Sequence, residues 1–177
     1  MSTLKVNSII PTGGVPTGGG GGIVQVKQDV KTDIEVGTTS GSTEVDICSV
    51  SITPVANVSK MLVSFSLSCD TSGNHNSMGA KLKRDSTDIC IGDVSSSRTR
   101  CTIGLQADSV GLKVPSYSMC FLDDRPDGTS AITYKLVLFD GNTDGGSYFI
   151  NRPSDGDTSS SNMAATSSLT VMEISDS

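Results

Sequence analysis

Large aromatic side chains are scarce in this chain. It has no Trp, and aromatic residues make up 4% of its 177 positions. A core without Trp is built mainly from aliphatic groups and is thin. Contact between copies then becomes attractive, because it buries apolar area that a small body cannot bury alone. Helix formers are scarce too: Ala, Leu, Glu and Gln are outnumbered by Ser, Thr and Gly, which excludes a mainly helical fold. Positive charge is short. Thirteen Lys and Arg face 19 Asp and Glu, for a net charge of −6, which argues against nucleic acid or an anionic membrane as a partner. No apolar run approaches the ~18 residues of a membrane span. The start MSTLKV lacks the apolar region of a secretory signal, so the expectation is assembly in a cytoplasm.

Histidine is nearly absent. His75 is the only one, which leaves a Ser–His–Asp arrangement without a base elsewhere. Cys48, Cys69, Cys90, Cys101 and Cys120 are odd in number and contain no CxxC pair, so they read as reduced thiols acting as small hydrophobes. No metal cluster and no phosphate-binding loop is visible, and no cofactor is expected. Asp123–Asp124, Asp140 with Asp144, and Asp155 with Asp157 lie beside Gly, Pro or Asn, where Asp forms turns first. Adjacent carboxylates at Asp155 and Asp157 also suit a weak divalent-ion site, but the motif is not specific.

What is present begins with an arm. In residues 1–10, Leu4, Val6, Ser8 and Ile10 alternate with Lys5, Asn7 and Ile9, the period of a strand. Pro11, Gly13, Gly14 and Pro16 follow, then five glycines at 18–22. A run of five glycines cannot hold one conformation by itself. Lys5 is the arm's one charged side chain, whereas solvated tails are usually charged. The arm therefore reads as an anchor that adds a strand to another protein's sheet edge through Leu4, Val6, Ile9 and Ile10. Residues 1–22 are the arm and its hinge, and residues 23–177 are the folded body.

The body alternates in short runs separated by Gly, Asp, Asn and Pro. Strands are predicted over 23–28, 44–53, 60–69, 79–84, 87–91, 101–106, 116–122, 131–139, 148–151 and 168–174. In the clearest, Met61, Val63, Phe65, Leu67 and Cys69 take one face and a mostly hydroxyl row the other. With Ile132, Tyr134, Leu136, Leu138, Tyr117 and Phe121 they are the expected core. Val24 and Val26 are expected to share a face, and Ile34 and Val36 to anchor the polar stretch 29–43. The apolar phase switches near Cys48–Ser49, as a bulge or a crossing between sheets requires. Residues 70–77 read as an exposed tip. Together these features predict an all-β fold, an antiparallel jelly-roll-like β-sandwich with an extended N-terminal arm. Arg98, Arg100, Arg125 and Arg152 stand in polar loops, where they can pair with Asp turns of a neighbouring subunit, clamp an acidic sugar, or stay solvated.

Several segments resemble one family. The start MSTLKVNSI with its glycine hinge is similar to the opening of many virion proteins of marine tailed phages, cyanophages especially. VSITP (50–54), SKMLVSFSL (59–67), IGD…SSRTR (91–100), SMCFLD (118–123), TSAITYKL (129–136), FINRPSDGD (149–157) and SLTVMEIS (168–175) resemble the body of a phage fibre-like family, in order and over nearly the whole chain. The resemblance implies a structural, non-enzymatic virion protein and carries over no catalytic residues. It implies a homotrimer attached by its arm to capsid, tail or portal-proximal proteins. A fibre or knob involved in host adsorption is the first expectation, and a capsid decoration protein clamping capsid subunits is the alternative. A polysaccharide-degrading enzyme comes last, opposed by the single His and by the lack of a long repeat. Host surface glycan would meet loops presented at the sandwich ends, at Asn74, His75, Asn76, Asn142, Asp155 and Asp157, with Tyr148 as a stacking face.

Overall fold

The computed structural model describes residues 22–39, 43–71, 77–106, 113–125, 127–142, 145–155, 158, 160 and 162–175. The arm's Leu4, Val6, Ile9 and Ile10 lie outside the described residues. The strands are β1 (Ile23–Lys31), β2 (Glu35–Thr39), β3 (Glu44–Ile52), β4 (Lys60–Thr71), β5 (Met78–Arg84), β6 (Thr87–Ile89), β7 (Ile103–Gly104), β8 (Ser116–Asp123), β9 (Ile132–Asp140), β10 (Gly146–Ile150) and β11 (Ser167–Ile174). No helix occurs among the described residues.

All pairings are antiparallel and fall into two sheets. In the first, β4 is the spine. One of its edges carries β8, and the other carries β11 and then β10 end to end, with Ser168 opposite Ser66 and Ile150 opposite Cys69. Twelve residues make β4 long enough for both partners. β1 extends β11, and β2 extends β10. The second sheet runs β3-β9-β5, with β6 and β7 sharing the far edge of β5. At one margin the sheets meet: Ser49 N donates to Asp29 Oδ2 at 2.8 Å, and Gln25 Nε2 to Thr53 O at 2.7 Å.

The core lies where the sequence phase puts it. Met61, Val63, Phe65, Leu67 and Cys69 of β4, with Leu169 and Val171 of β11, pack against Ile132, Tyr134, Leu136 and Leu138 of β9. The expected phase switch is a bulge in β3 between Asp46 and Cys48, which turns both Ile47 and Cys48 inward.

Several expectations need correction. Tyr117 and Phe121 are half-buried at the margin of the core, because β8 is paired only to β4 and its other flank is open. Ile34 and Val36 are 52% and 53% exposed, since β2 hangs on β10 alone, so they anchor nothing inside. A register shift between Ile23 and Gln25 parts Val24 from Val26, and Val26 faces outward. Asp70 and Thr71 are no tip: they are buried and end β4.

Candidate interaction surfaces

Gly22 O accepts from Ser175 N at 3.0 Å, which sets Gly22, the residue before β1, beside the end of β11. Of the expected host-contact residues, Asn74, His75, Asn76 and Asp157 lie outside the described residues. Asn142 and Asp155 are exposed: Asn142 N donates to Asp140 Oδ1, and Asp155 Oδ2 accepts from Asn162. Tyr148 corrects its expected role. It is buried, its hydroxyl donates to Glu35 Oε1 at 2.9 Å, and its ring lies against Gly37, so it offers no stacking face. Burial, with Glu35 beside it, pushes its hydroxyl up to about 12.

Arg125 is a second correction. It is 6% exposed and is an internal clasp, not an inter-subunit charge. Nη1 donates to Gly128 O, and Nη2 to Ala56 O, Asn57 O and Ser59 Oγ, so one guanidinium bridges the β8–β9 and β3–β4 connections. Arg152 is half-buried beside the Phe149 ring and donates to Pro153 O. Arg98 and Arg100 are exposed, with Arg100 Nε on Gly92 O, and stay available to a neighbour.

Two buried polar centres escape sequence reading. Glu173 is fully buried, and its carboxylate accepts from Val55 N, Ala56 N, Ser59 Oγ and Gln25 Nε2. Burial opposes its ionisation, but these donors outweigh burial and hold the carboxyl below its ordinary value. Nearby, Arg84 Nη1 reaches both oxygens of Asp123 at 2.7 and 2.9 Å, and the buried Tyr134 hydroxyl donates to Asp123 at 2.7 Å. Asn151 is the second centre. It is buried with φ at 61°, donates from Nδ2 to Lys31 O and Asp33 O, and accepts from Ser167 Oγ. The sequence signal for Glu173 was its place on the inward phase of β11, between Val171 and the chain end.

The outward faces of the two sheets differ in charge. On the β3-β9-β5 side, Lys81 and Lys83 each reach Glu44 and Asp88, and Lys135 reaches Asp46. Their stems lie over the buried Val137 and Phe139, with Lys81 Nζ 4.5 Å from the Phe139 ring centre. Such a face stays hydrated.

The face formed by β1, β11, β4 and β8 carries no charge over three consecutive rows. The first is Val26, Met172, Leu62 and Leu122, aligned across all four strands. The second is Gln28, Thr170, Ser64 and Cys120, and the third is Val30, Ser168, Ser66 and Ser118. None of these side chains is buried. Charge returns beyond the first row, where Lys60 meets Asp124 at 3.7 Å.

The thiols are free among themselves. Burial pushes Cys48 up to about 11 and Cys69 up to about 12, so both are poor nucleophiles, while Cys120 is exposed.

No family model matches the chain, and no curated protein matches it. One similar solved structure is titled as that of infectious bursal disease virus, Gx strain, at 12% identity and a TM-score of 0.39. The match covers 86% of this chain and 37% of that one, so this chain spans well under half its length. At that TM-score the likeness does not extend to function.

Proposed function

We propose that this chain is a structural component of a phage virion, a fibre- or knob-like body held on the particle by its N-terminal arm. It works by binding and not by catalysis. One observation carries the reading: a strand-length apolar arm with a single charge is tethered by five glycines to a β-sandwich, with Gly22 beside the end of β11. An isolated strand leaves its backbone groups unpaired, so such an arm gains most by joining another protein's sheet. The resemblance to tailed-phage virion proteins supports the same assignment, and three copies is the association it implies. In this reading the partners are other virion proteins and further copies of the chain, with host glycan at the exposed Asn142 and Asp155 loops. The chain is assembled in the host cytoplasm.

The decoration alternative draws support from Tyr148, whose burial removes the aromatic face a sugar site would use. The test exchanges Leu4, Val6, Ile9 and Ile10 for Ser. The variant should fold like the wild type and fail to join particles. Incorporation at the wild-type level would place attachment elsewhere and sink the reading.

A further inference from the structure

We propose that the uncharged outward face of β1, β11, β4 and β8 is a contact between two copies of this chain, seated on the row Val26, Met172, Leu62 and Leu122. The inference rests on the self-association proposed above but takes a two-fold pair in place of three copies.

Charge identifies the occupant. The chain carries −6, so two copies repel wherever their charges meet. A partner protein chosen by electrostatic complementarity would be met by charge, as the opposite sheet offers with its lysines and carboxylates. The face in question offers none. Beside the apolar row it presents Ser, Thr and Gln side chains, each able to donate and to accept. Such a surface matches itself, as an isologous contact requires. The row itself lies in register across four strands, with Val26 and Leu122 51% and 50% exposed at its two ends, so it is a continuous apolar ridge and not scattered hydrophobes. Its two-fold pairing differs from the three copies that the resemblance implies.

The size of the face sets the strength. Four strands and three rows span about 400 Å², from strand spacings and the two-residue repeat. That is roughly half of the ~800 Å² per partner of a standard interface. The pairing is therefore weak and reversible in solution, and many copies on one particle would reinforce it.

Cys120 sits in the second row and reports on the contact. The full-length protein is alkylated at low and at high concentration, and modification is read residue by residue with Cys90 as the internal reference. Mass is followed in parallel by light scattering. Wild-type mass should rise with concentration towards two copies, while Cys120 alkylation slows about fivefold once most copies are paired and Cys90 does not change. Leu122→Lys should remove both effects. Val94→Lys, a change at a 76% exposed position off the face, should leave both intact. If the mass rises but Cys120 stays reactive, or Leu122→Lys associates as the wild type does, copies meet elsewhere: the proposed face falls and self-association stands. A wild type that remains monomeric throughout overturns both. Protection of Cys120 that dilution does not relieve means that another segment covers the face, and overturns it too.

Discussion

At the scale of single residues, a few buried polar side chains tie distant elements together. Asn151 holds a left-handed backbone, joins the β1–β2 connection to β11 through its amide, and has its backbone N on Ser68 O. Asn adopts that conformation more readily than other residues with a Cβ. Asn151→Ala should cost about 4 kcal/mol, from the three lost buried hydrogen bonds at about 1 kcal/mol each and the strain of a left-handed Ala. Asn151→Gly removes the same bonds without that strain and should cost about 3 kcal/mol. Urea denaturation of the three proteins checks the order, and equal losses in both variants would show that the backbone conformation contributes nothing. The position reads from sequence only as the last residue of a short strand, because its partners are 16 to 120 residues away.

At the scale of elements, β2 and β10 form the branch that sequence reads least well. Glu35–Thr39 has one apolar residue and a glycine, so it shows no alternation. Its order comes from pairing with β10 and from Tyr148, whose ring fills the space over Gly37. A Cβ at Gly37 would collide with the phenol, so this glycine is required by close approach and not by its backbone angle. Gly37→Val should push Tyr148 outward and loosen β2 at a cost of about 1–3 kcal/mol. Hydrogen exchange should then speed up at residues 35–39 while β4 and β9 keep their protection. Uniform protection across β2 in the variant would contradict the packing. By contrast β4 and β9 were legible almost residue by residue, since each buries one face continuously and their alternation survives in the sequence.

At the scale of the whole molecule, Glu173 ties one end of the sandwich together. Its carboxylate joins β11 to β1 through Gln25 and to the β3–β4 connection through Val55, Ala56 and Ser59. Ser59 in turn meets Arg125 of the β8–β9 connection. The folded carboxyl titrates below its ordinary 4.5. The unfolded chain therefore binds the proton first, so the stabilisation is complete above the ordinary value and is lost as pH falls through the lower folded one. Glu173→Gln should destabilise the protein by about 2–3 kcal/mol near neutral pH, because an amide donor group meets backbone N–H groups. Its stability should also fall less steeply than the wild type's over the acid range. Asp88, likewise held low, keeps part of that slope. Melting temperatures measured from neutral pH down to about 3 check both points, and parallel curves would remove Glu173 from the acid response.

The sequence by itself determined the class of fold, the phase of the main strands, the phase switch in β3 and most of the core, because the two-residue period of a strand is a local property of the chain. That the switch is a bulge and not a crossing between sheets came from the pairing of β3 with β9. Only the tertiary structure decided which strands are neighbours. That choice put Tyr148 and Arg125 inside, gave Glu173 donors more than a hundred residues away, and aligned Val26, Met172, Leu62 and Leu122 in one row. The physical reason is pairing over long sequence separations: alternation says which way a side chain points, and register with distant strands says what it meets.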